Sequence, residues 1–150
     1  MEWIDTSCVK KSTTTSDCTA TMYVDPKAMP YVSGRDPDGI AGQWQVNATV
    51  NANDKDYWIS DRVALYQFKR AATLTTDAAP EPVGKGKKLT VKGKLSRASW
   101  KDLEYHGFGG QKVTLQFRKA GATSYKNVAT VKSSASGNLR TAVTASAAGT

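Results

Sequence analysis

A chain of 150 residues can bury a core and suggests one domain or two small ones. With 39% hydrophobic and 23% charged residues it is polar but foldable, and it carries a formal net charge of +8. No apolar run approaches the roughly 18 residues needed for a membrane-crossing helix, so no membrane span is expected.

The opening Met1-Glu2-Trp3-Ile4-Asp5 lacks the basic-then-apolar order of a signal peptide. It reads as a mature start with an added methionine, or as a processed chain. The two cysteines, Cys8 and Cys18, flank nine polar residues in "SCVKKSTTTSDC", a spacing suited to a disulfide across a hairpin or Ω-like loop. Two Cys and the single His106 cannot complete a tetrahedral structural site, and a redox pair would have the C-x-x-C spacing. A disulfide places the protein in an oxidising compartment, so secretion to the extracellular space is expected.

Period-two alternation then dominates. "CTATMYV" (18–24), "QWQVNATV" (43–50) and "RVALYQFK" (62–69) read as strands, with Trp44, Val46, Ala48 and Val50 on one face of the second. Between the first two, "DPKAMPYVSGRDPDGIAG" (25–42) reads as a long loop. "GRDPDG" offers Asp36 and Asp38 and "NANDKD" offers Asn51, Asn53, Asp54 and Asp56, oxygen ligands of the kind calcium favours. Lys55 stands where a third acid should be and no Glu closes the loop. Asx turns explain both stretches, so no metal and no cofactor are expected.

At "DAAPEPVGKGK" the charge changes sign. Residues 1–83 hold 8 Lys+Arg and 11 Asp+Glu, whereas residues 84–150 hold 13 and 2. Pro80, Pro82, Gly84 and Gly86 suit a linker, giving an expected division into 1–78, a β-rich domain with a disulfide loop, and 79–150. In the second part, 88–95, "KVTLQFRK" (112–119), "YKNVATVK" (125–132) and "LRTAVTAS" (139–146) read as strands, with "SASGN" (134–138) a hairpin turn. No segment shows a helical stripe. Short strands with frequent turns make an all-β protein with a sandwich.

The stretches "PEPVGKGKKLTVKGKLSRASW", "YHGFGGQKVTLQFRKAG" and "YKNVATVKSSASGNLRTAV" resemble an immunoglobulin-like module of secreted proteins from high-GC Gram-positive bacteria. The resemblance covers about residues 78–150. It implies a β-sandwich, extracytoplasmic location and a structural or binding role, and it carries over no catalytic residue. Such modules usually continue past the segment that corresponds here to Ala147, Ala148 and Gly149 into a further, aromatic-rich strand. The expected alternatives are a fragment that stops before the last strand, a sandwich closed by something else, or a different strand order. In the first two cases an edge beside Leu139, Thr141 and Val143 would be open to a strand from a partner or from the first half.

For function, an enzyme is disfavoured: His106 beside Glu104 and Tyr105 has no nucleophile elbow around it, and Asp102 and Glu104 are the only acids of the basic half. Lys92, Lys94, Arg118 and Lys132 alternate with apolar residues and are expected to face water as a basic binding face. An acidic protein or an anionic cell-wall polymer fits that field, and a recognised nucleic-acid motif is absent. The alternative is a face that serves solubility alone. Trp100, Tyr105 and His106 complete the expected binding residues; Trp100 is the ring best placed to serve as an exposed platform, although burial is the commoner outcome for any single ring of this set. Tyr57 and Trp58 are consecutive, so one of them must face away from a core. The leading reading is a non-catalytic binding or assembly module. A carbohydrate-binding module comes second, and a small secreted enzyme or inhibitor third.

Overall fold

The computed structural model describes residues 3–25, 27, 28, 34, 36–52 and 55–150. Ten strands run in chain order: β1 (Trp3–Lys10), β2 (Ser16–Tyr23), β3 (Gly42–Asn51), β4 (Tyr57–Phe68), β5 (Ala72–Ala79), β6 (Lys88–Ala98), β7 (Tyr105–Gly107), β8 (Lys112–Phe117), β9 (Lys126–Lys132) and β10 (Asn138–Thr144). The protein is all-β, with a 3-10 turn at Pro37–Ile40. The chain divides into two compact units. The first comprises Met1–Arg70 with Ser99–Leu103, and the second Ala71–Ala98 with Glu104–Thr150.

In the first unit, β1 and β2 form an antiparallel hairpin in which Cys8 lies directly opposite Cys18. The two are disulfide-bonded, with Cα atoms 4.0 Å apart. The turn is closed by Lys11 and Ser12 amides on the Thr15 carbonyl and by the Ser12 hydroxyl, which accepts from the Thr14 and Thr15 amides. Every residue of β2 is exposed. A lone two-stranded ribbon is marginal in water, so the cross-link carries its order. Mass spectrometry of the unreduced protein is expected to find no alkylatable thiol. Reduction should cost about 2–3 kcal/mol, as expected for closing a short loop. Two free thiols in the unreduced protein would contradict this.

β3 and β4 form a second antiparallel ribbon, with a register shift between Val46 and Ala48. The extra residues lie on β4, and the apolar row expected of β3 is only partly covered. Trp44 and Ala48 are half-buried, whereas Val46 and Val50 are exposed. Asn53 and Asp54 lie outside the described residues, as do residues 26, 29–33 and 35 of the expected long loop.

In the second unit one sheet has the order β10-β6-β5, with β7 also pairing β6, and a second sheet consists of β8 and β9. Residues 72–78, read above as lying before the domain division, form β5 together with Ala79, and β5 pairs along β6 from Ala72↔Arg97 to Ala79↔Thr90. The two prolines thus follow a strand of this sheet. Gly93 lets the sheet close: a Cβ there would run into the Thr75 carbonyl. Gly137, at φ 81°, makes the turn before β10. The inner faces of the two sheets carry Leu89, Val91, Leu139, Val113, Leu115 and Val131, all half-buried.

Candidate functional site: two basic sheet faces

Alternation along β6 puts Lys92 and Lys94 on its exposed side and Leu89, Val91 and Leu95 on its inner side. Register then decides their neighbours. Lys92 lies directly opposite Arg140 of β10 and, on its other flank, opposite Asp77 of β5. Lys94 lies between Asn138 and Thr75, and its amide donates to the Thr75 hydroxyl at 3.1 Å. Leu139, Thr141 and Val143 sit on the inner face, opposite Gly93, Val91 and Leu89. Among the described residues β10 has no strand on its other side.

Lys132 and Arg118 belong to the other sheet. Lys132 on β9 is opposite Lys112 on β8, and both are exposed. The same outward face carries Thr114 opposite Thr130 and a Gln116–Asn127 side-chain hydrogen bond of 2.9 Å. Arg118, just beyond β8, holds its guanidinium 5.1 Å from the centre of the Tyr125 ring. Residues 112–132 contain five basic residues and no acid. The four basic residues expected to share one face are therefore divided between two sheets. Two like-charged partners, Arg140 and Lys112, complete the rows. Register alone reveals them, since a strand pattern shows which face a lysine takes but not what stands across from it.

Tyr105 and His106 lie on β7, opposite Ala98 and Arg97. Tyr105 is exposed. The Arg97 guanidinium stacks on Phe108 at 4.0 Å.

Trp100 takes the buried alternative and is no exposed platform. At 6% exposure it is the only large apolar side chain buried among the described residues. Its ring packs on Phe68, centroids 5.0 Å apart, and Phe68 packs on Trp44 at 4.6 Å. Asp38 organises this cluster. Its carboxylate accepts the Trp100 amide at 2.6 Å and forms an ion pair with Arg70, whose side chain is nearly inaccessible. Burial pushes the Asp38 carboxyl up, but the Trp100 amide, the Arg70 guanidinium and the Ser99 hydroxyl outweigh it and hold the pKa below its ordinary value. Asp36 is engaged as well, accepting the Asp38 amide at the start of the 3-10 turn. These carboxylates thus have protein partners. Among the described residues no cluster of three or more His, Cys, Asp or Glu is placed to hold a metal.

Tyr57 and Trp58 are both exposed, at 67% and 52%. As neighbours on β4 they point to opposite sides of the ribbon, so they do not build one aromatic platform.

No family model, curated protein or solved structure matches this chain.

Proposed function

We propose that the protein is a non-catalytic binding or assembly module, exported to an oxidising compartment, whose second unit presents rows of basic side chains to an acidic partner. The partner is an acidic protein or an anionic wall polymer. The observation that carries this reading is the placing of like charges directly across from one another, Lys92↔Arg140 on one sheet and Lys112↔Lys132 on the other. Like charges directly opposite are destabilising, an effect that Asp77 on the other flank of Lys92 offsets in part for the first pair. A negatively charged ligand laid across them converts that cost into attraction. The unit as a whole holds 12 basic and 3 acidic residues, so its field steers anions toward either face. The disulfide supports the oxidising location.

Charge reversal tests it. Lys112→Glu with Lys132→Glu, and separately Lys92→Glu with Lys94→Glu, should weaken binding to polyphosphate by about tenfold or more, about 1.4 kcal/mol. Exposed positions of this kind change stability by no more than about 0.5 kcal/mol each. Unchanged polyphosphate affinity in both variants would reduce the lysines to a solubility device.

A carbohydrate-binding module is the second reading, supported by the exposure of Tyr57 and Trp58. Saturable quenching of tryptophan fluorescence by a neutral glycan, lost in Trp58→Ala, would favour it.

A further inference from the structure

We infer that the outward face of the β8–β9 ribbon binds a linear anionic polysaccharide whose charged groups are separated by neutral sugars. This rests on the acidic-partner reading and names the partner for one of its two basic faces. Register lays three cross-strand pairs along this face, in the order Lys112/Lys132, Thr114/Thr130 and Gln116/Asn127. Arg118 against Tyr125 continues the row. All of these residues are exposed. The residues that alternate with them, Val113, Leu115 and Val131, line a cleft toward the other sheet, so the row faces away from it. Each pair is built by two adjacent strands, so the face is the same whatever lies along either edge of the ribbon.

Two features identify the occupant. The first is the placing of charge. Among the described residues Lys112, Lys132 and Arg118 take part in no salt bridge, and residues 112–132 contain no acid. These cations stand at the two ends of the row. The rise of an extended strand puts Lys112 and Arg118 about 20 Å apart. Between them neither pair carries a charge. A chain with an anion at every step would lay charge over Thr114, Thr130, Gln116 and Asn127, taking it from water without a counter-charge. A chain whose anions are spaced apart meets a cation at each end and a neutral surface between. The other basic face lacks this pattern, because Asp77 stands beside Lys92 there.

The second feature is the chemistry of the neutral middle. The hydroxyls of Thr114 and Thr130 each donate and accept. The Gln116 side-chain amide donates to the Asn127 carbonyl at 2.9 Å. That bond holds both amides in the face and leaves N–H groups on each, and the Gln116 carbonyl, for a ligand. Adjacent donors and acceptors of this kind match the neighbouring hydroxyls of a sugar ring.

An acidic protein fits this row less well. The centre of a protein interface is depleted of charge and enriched in aromatic and other apolar groups, and the centre of this row has none. Its one ring, Tyr125, stands at the end beside the Arg118 guanidinium, 5.1 Å from it. There it offers a sugar ring a flat apolar wall with a polar tip.

The test uses the full chain and labelled oligosaccharides of hyaluronan, in which glucuronate alternates with a neutral sugar, long enough to span Lys112 to Arg118. Their fluorescence anisotropy should rise saturably at low salt, and the side-chain amide resonances of Gln116 and Asn127 should shift. Thr114→Val with Thr130→Val removes the hydroxyls while keeping every charge and the strand preference of both positions. It should weaken oligosaccharide binding by about tenfold and leave polyphosphate binding unchanged. Thr114→Ser with Thr130→Ser, which keeps the hydroxyls, should retain the affinity, and Lys112→Glu with Lys132→Glu should weaken both ligands. Unchanged oligosaccharide affinity in the valine variant overturns the inference, as does an equal loss of both ligands there. Equal binding of a neutral oligosaccharide of N-acetylglucosamine, or tighter binding of polyglutamate, also overturns it. Binding of polyphosphate without binding of the hyaluronan oligosaccharide overturns the polysaccharide and leaves the acidic-partner reading standing; binding of neither overturns both.

Discussion

Trp100→Ala should destabilise the first unit by about 3–5 kcal/mol, the usual cost of removing a buried large aromatic. The ring is buried against Phe68, which in turn meets Trp44, so its loss opens a void that two neighbouring aromatics cannot fill without shifting. Trp100→Phe keeps most of the contact and should recover much of the loss. Urea unfolding followed by the fluorescence of the remaining tryptophans checks this. Had Trp100 been an exposed platform, its removal would alter ligand binding and leave stability nearly untouched. A change below about 0.5 kcal/mol, typical of surface sites, would therefore contradict its place in the core.

Asp38→Ala should cost about 1–3 kcal/mol, because it leaves the half-buried Arg70 guanidinium without its partner. It also orphans the Trp100 amide. Asp38→Asn retains an acceptor for that amide and should fall between the two. The same carboxylate gives the unit an acid limit. Its folded pKa lies below the ordinary value of 3.8. The stabilisation is therefore fully present above that value and is lost as pH falls through the depressed folded pKa. Thermal unfolding of the first unit should weaken as pH falls below about 4, with a smaller decline in Asp38→Ala. Parallel declines in the two proteins would contradict the assignment.

The sequence disclosed those parts of the fold whose signal is local. The alternation of Leu89, Val91 and Leu95 with Lys92 and Lys94 sufficed to find β6 and its faces, and the polar spacer between Cys8 and Cys18 sufficed to suggest the cross-link. β1 and β5 escaped because neither has a clean apolar row. In β2, the partner of β1, both faces are solvated, and β5 carries Leu74 among small and polar residues before two prolines. The apolar row of β3 is covered only at Trp44 and Ala48, because cover depends on neighbours that a strand pattern does not show. Whether Trp100 is a platform or core could not be read locally, because it follows a strand and precedes a charged loop. Its ring packs on Phe68 and its amide is held by Asp38, 62 residues away in the chain. Pairing across strands was equally hidden, and the like-charge rows that support the functional reading exist only once register is known.

The central claim is that the basic rows of the second unit bind an anionic partner through exposed charge. Retention of the wild-type chain on immobilised polyphosphate, followed from about 0.05 M to about 0.5 M salt, tests it most directly, since screening shortens to ~10 Å already near 0.1 M. The account predicts firm retention at low salt, progressive release as salt rises, and early release of the Lys112→Glu, Lys132→Glu variant. Failure to be retained at low salt, or retention indifferent to both salt and charge reversal, would contradict it.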